Sequence, residues 1–291
     1  MSSKAPKDRN RTATGPTTGA TPSKPASPRG KTQSKGTQEV RLSKQLLIYQ
    51  NVVPLSSEAH RDVSVKMSET FDFARDLNSV PLLAAEFTTA IADHPIVFAG
   101  QGDAVFPAVL LGLTDGANLS VDAAGNWTGG YVPAFLRRYP FVFSQTEGNF
   151  TLCIDEAFSG LNRDNRGERL FDADGARTQF LQTMLTFVSQ FQAQFERTRL
   201  FCQRLVALNL LETAQARYTL ADGRSGTLSG FMTINRDRLK AIPEDALKEM
   251  FATDELELCY VHLHSLQNVS RLSAKVPAAQ AAAAPVPAEV E

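Results

Sequence analysis

Only three cysteines, four histidines and one tryptophan occur among the 291 residues. No apolar run approaches the roughly 20 residues that a membrane-spanning helix needs. The best, AVFPAVLLGL at 104–113, is short and carries Pro107 and Gly112, so a spanning helix is excluded. Cys153, Cys202 and Cys259 are odd in number and widely separated. That suits reduced, buried thiols and rules against a disulfide framework. The first 38 residues contain no Val, Ile, Leu, Phe, Trp or Tyr. Such a stretch has too little apolar surface to offset the entropy of ordering it, and it is expected to be disordered. It also lacks the apolar segment of an export signal, so the chain is expected to be cytoplasmic.

Charge is unevenly spread. Residues 1–38 hold eight Lys/Arg against Asp8, a net +7, which leaves −8 for the remainder of a chain whose total is −1. A folded part of that sign speaks against nucleic acid as the partner. At the other end, the Ala- and Pro-rich stretch 272–291 has no periodic apolar face and reads as a second tail. One folded domain is therefore expected over residues 39–271.

Within that domain the first half reads as strands joined by turns: HPIVFAG, VFPAVLLGL, NLSVDAAGNWTGGYV and FVFSQTEGNFTLCID. Gly and Asx residues at Asp122–Gly125 and Glu147–Asn149 supply the turn chemistry. An antiparallel, partly meandering sheet follows. PLLAAEFTTAI reads as a helix with Pro81 in its first turn, and VPAFLRRYP as a two-turn helix between Pro133 and Pro140. From Thr178 the period changes. Residues 178–211 contain no Gly or Pro, and Phe180, Met184, Phe187, Phe191, Phe195, Cys202, Leu205 and Val206 form one apolar stripe. This predicts an amphipathic helix about 50 Å long. A hairpin turning at Asp222-Gly223 and further helices from 236 onward complete an α+β fold.

Catalytic grammar is sparse. There is no G-x-S-x-G elbow, no phosphate-cradling glycine loop, and Cys153 sits among apolar strand residues. Cys259 and His262 share a helix face, but His264 points elsewhere and a zinc site would need ligands from afar, so no metal or cofactor is expected. Carboxylates gather at Asp155, Glu156, Asp164, Asp172 and Asp174. They suit either a cation or substrate site or a set of Asx turns in a solvated loop. The stretch YVPAFLRRYPFVF raises a similar choice. Adjacent Arg137 and Arg138 diverge by about 100° on a helix, which favours a folded corner with aromatic residues inside and one or both arginines paired to acidic neighbours. The candidate contact residues are Arg137, Arg138, Asp155 and Glu156.

These segments also carry a resemblance. YQNVVPLSSEAHRD, FARDLNSVPLLAAEF, HPIVFAG, GNWTGGYVPAFLRRYPFVF, LCIDE, FCQRLVALNLLE and HLHSLQNVSRL, in that order over 48–272, resemble the SapC family of bacterial proteins. The family takes its name from a surface-array (S-layer) locus and brings no agreed activity or catalytic residues; the unrelated peptide-transport permease of that name is excluded by the missing spans. The resemblance implies an interaction or accessory protein serving cell-surface components, with a protein partner. The alternative is an enzyme of unknown reaction, modifying proteins or small molecules near Arg137, Arg138, Asp155 and Glu156. An enzyme requires those four side chains to converge in a deep pocket, a binding protein an apolar groove or patch.

Overall fold

Three antiparallel sheets and a long helix organise the computed structural model, which describes residues 48–146, 149–220, 223 and 225–276. The strands are β1 (Val52–Pro54), β2 (Ser64–Val65), β3 (Ser79–Pro81), β4 (Ile96–Ala99), β5 (Phe106–Leu110), β6 (Phe141–Thr146), β7 (Asn149–Asp155), β8 (Leu161–Asn162), β9 (Glu168–Arg169), β10 (Leu211–Thr219) and β11 (Ser225–Ile234). The helices are α1 (Ser57–His60), α2 (Phe87–Ala90), α3 (Ala134–Arg137), α4 (Gln179–Ala207), α5 (Arg236–Lys240), α6 (Glu244–Ala252), α7 (Glu255–Ser265) and α8 (Asn268–Ala274). Sheet order is β1-β7-β6, β10-β11-β4-β5-β3 and β8-β2-β9.

The hairpin β6–β7 shows why the first sheet has a buried face. Phe141 opposes Ile154 and Phe143 opposes Leu152, so the period-2 alternation puts four apolar side chains on one side. That side meets α4, where the Phe141 and Phe180 ring centroids lie 6.1 Å apart. Helix α4 starts where Thr178 accepts from Leu181 N–H. Its 29 residues bury Leu181, Val188, Phe191, Phe201, Cys202 and Leu205, a stripe with helical spacing. It is shorter than the sequence predicts, because Asn209 takes a positive φ of 53° and the chain leaves at once into β10. Its rise is therefore about 44 Å.

Two other expectations need correction. Pro81 does not open a helix: it closes β3 opposite Ala108. The helical stretch begins at Ala84 after extended Leu83, and Glu86 turns back to accept Leu83 N–H at 2.8 Å. NLSVDAAGNWTGGYV forms no strand, only the isolated bridge Val121–Trp127 around the Asp122–Gly125 turn. Gly125 takes a φ of +87°, which favours glycine, and a Cβ there would stand 2.7 Å from the Asp72 carboxylate, which would have to shift.

The second-half hairpin β10–β11 joins the first half's sheet through Met232, which opposes Phe98. Helix α8 carries buried Leu272 and Ser273, so the packed body runs past the boundary expected at 271. Residues 1–38, 277–291 and Asp222 of the expected turn lie outside the described residues. All described residues fall within one compact unit, Leu42–Glu291.

Candidate functional site

The two arginines of the corner have opposite fates. Helix α3 follows Pro133 and ends before the Tyr139–Pro140 bond. One turn is enough to send Arg137 to solvent while Arg138 becomes 1% exposed. The Arg138 guanidinium carbon lies 4.3 Å from the Phe191 ring centroid, 4.9 Å from that of Phe135 and 5.7 Å from that of Tyr49. Aromatic faces replace part of the water that a buried cation loses. Burial lowers the Arg138 pKa, and the bond to Tyr49 opposes that. Burial pushes Tyr49 up to about 12, against the pull of Arg138. Arg137 is not paired to a carboxylate among the described residues. It donates to the Val132 carbonyl at 3.0 Å and lies over Tyr131 and Phe187.

Asp155 and Glu156 also separate. Asp155 is fully buried and accepts from Gln50, Asn51 and Ala157 N–H at 2.9, 2.8 and 3.1 Å. The Tyr139 hydroxyl donates to it at 3.4 Å. These bonds fix the entry of the chain into β1. Glu156 faces outward, accepting from Asn51 Nδ2 and approaching His60 Nε2 at 3.6 Å. The structure thus joins Arg138 and Asp155 through Tyr49 and Tyr139 in a buried cluster, and leaves Arg137 and Glu156 outside it.

The acidic segment resolves into turns. Asp172 Oδ1 accepts from Asp174 N–H at 3.0 Å and Ala176 N–H at 2.8 Å, with Gly175 at φ +81°. Asn162 and Asp122 make the same pattern of bonds to the second and fourth residues on. These are Asx turns. Among the described residues no group of three His, Cys, Asp or Glu is placed to hold a metal ion. Cys259 and His262 are both fully buried. Burial pushes the Cys202 and Cys259 thiols up to about 12 and the His262 imidazole down to about 4.

Glu86 is a structural centre that sequence reasoning did not single out. Nearly buried, it accepts from the Tyr131 hydroxyl at 2.6 Å and from Ala134 N–H at 2.7 Å, besides Leu83. Burial and this bond raise the Tyr131 pKa. Glu three residues beyond an extended helix-entry residue is half of a capping signature, and that was the available signal.

An open concavity lies elsewhere. An open groove of about 660 Å³ separates the outer end of β6–β7 from α4. Its floor is Leu55, Phe143, Phe150 and Leu152, and its helix wall is the row Leu185, Ser189, Ala193. That row is one ridge of α4, and two of its three side chains are small, so the seam between helix and sheet stays unfilled. Phe150 is 45% exposed as a result. Arg177 and Glu196 also line the groove, while Arg137, Arg138, Asp155 and Glu156 do not.

Fold and site together define an α+β protein with an apolar groove along a sheet–helix seam. The SapC family matches residues 55–272, and the chain belongs to that family. No curated protein and no solved structure matches it.

Proposed function

We propose that the protein is a non-catalytic interaction protein whose groove between β6–β7 and α4 seats a segment of a protein partner. The observation that carries this reading is Phe150: a large ring left 45% exposed over an unfilled apolar groove. Leaving that surface in water costs free energy that a partner recovers on binding. The four residues that an enzyme would use divide between a buried structural cluster and the surface. In this reading the work is done inside the cell for cell-surface components. Support for that link comes from the family's S-layer-locus name.

The test is a photoreactive residue placed at exposed Ala193 on the groove wall, with the same residue at Lys248 on α6 as control, in the native cell. A discrete protein adduct at Ala193 and none at Lys248 is expected. Equal adducts at both positions, or none at Ala193, would overturn the reading.

A further inference from the structure

The groove offers backbone as well as side chains. The last rung between β1 and β7 is Leu55 N–H to the Leu152 carbonyl at 2.9 Å. Beyond it Ser56 caps α1 and the chain turns off the sheet. Alternate residues of an antiparallel strand direct their peptide groups to the same edge. Phe150, two residues before Leu152, therefore presents its N–H and C=O to the edge that β1 has left, and no described segment covers them there. The row of β1 is unfinished at this point.

The charges of the groove are unequal in availability. Glu196 is engaged by Arg199 Nε at 2.8 Å. Arg177 has no carboxylate partner among the described residues, and it stands two positions before the start of the 29-residue helix α4. A carboxylate beside Arg177 meets both the guanidinium and the positive end of that helix.

From the unfinished row, the apolar floor and the unpaired Arg177, we propose that the groove takes an extended acidic peptide segment. It continues the row of β1 along β7, sets alternate apolar side chains on Phe150, Leu152 and Leu185, and places an acidic side chain on Arg177. This is strand addition, in which main-chain bonds supply affinity and the flanking pocket and charge supply selection. The proposal rests on the groove being the partner site, as argued above.

The probe is a set of fluorescein-labelled peptides of about ten residues, alternating valine and threonine, with one glutamate moved along the series. Anisotropy is read against the full chain. Saturable binding is expected for one placement of the glutamate. Replacing that glutamate by lysine, or a central residue by proline, should weaken binding about tenfold or more. Arg177→Glu, at an exposed position, should invert the preference so that the lysine peptide binds better, and an unchanged unfolding temperature shows that the variant is folded. No saturable binding by any peptide up to about 1 mM, equal binding of the proline peptide, or no inversion in Arg177→Glu would overturn the proposal. If the cellular adduct at Ala193 persists while every peptide fails, strand addition is wrong and the groove reading stands. If the adduct is also missing, the groove reading falls with it.

Discussion

The Tyr131 hydroxyl donates to Glu86 Oε1 at 2.6 Å, tying the entry of the aromatic corner to the start of the α2 helical turn. The same carboxylate accepts two backbone N–H groups, those of Leu83 and Ala134. Its removal strands both donors in the interior. Glu86→Ala should cost about 3 kcal/mol or more, whereas Tyr131→Phe should cost about 1 kcal/mol. Urea unfolding measures both, and near-equal small losses would show that the carboxylate is not the centre described.

The neighbouring arginines should respond in opposite ways. Arg138→Ala removes a fully buried side chain packed against three rings and is expected to cost about 3–5 kcal/mol. Arg137→Ala, on the exposed side, should stay within about 0.5 kcal/mol. Comparable losses for the two would contradict the placement.

Acid should weaken the fold through His262. Its Nε2 accepts Ile234 N–H at 3.1 Å inside the core, and burial holds its pKa at about 4. The unfolded chain, with an ordinary histidine pKa near 6.5, takes up the proton first on acidification. The contribution is therefore complete above about pH 6.5 and is lost as the pH falls towards 4, by up to about 3 kcal/mol. His262→Gln should remove most of the stability slope between about pH 6.5 and 5, above the range where carboxylates titrate. Buried His94, also shifted downward, should leave a smaller slope behind. An unchanged slope would show that His262 is not held neutral by the core.

Cys153, Cys202 and Cys259 are all free and buried, and burial raises each thiol. Ellman's reagent should label none rapidly in the native protein and all three after denaturation, since the thiolate is the reacting form. Rapid native labelling of any one would place that thiol near the surface.

What could be read from sequence followed local patterning. The stripe from Phe180 to Leu205 announced α4, and the alternation in FVF and TLCID announced β6 and β7, because burial imposes a period on each element. The end of α4 was missed although Asn209 is a residue type that helix ends place left-handed, because the apolar run around it continues without Gly or Pro. Pro81 misled because it satisfies a strand end as well as a first helical turn, and only the pairing with β5 decides between them. Among the site residues, the divergence of Arg137 and Arg138 followed from adjacency alone, but which one would be buried depended on Tyr49 and Phe191, far away in sequence. The groove was beyond reach for a different reason. It is a space left by small Ser189 and Ala193 opposite Phe150, and a deficiency of volume appears only once helix and sheet are packed.

The two functional readings separate most directly in a paired-variant experiment in the native cell, with the photoreactive group at Ala193. One protein carries Phe150→Ser with Leu185→Ser in the groove, and the other Arg137→Ala with Glu156→Ala at the surface of the corner. The account predicts that the groove pair abolishes the adduct while the corner pair leaves it intact. Loss of the adduct in the corner pair, with the groove pair unaffected, would contradict it.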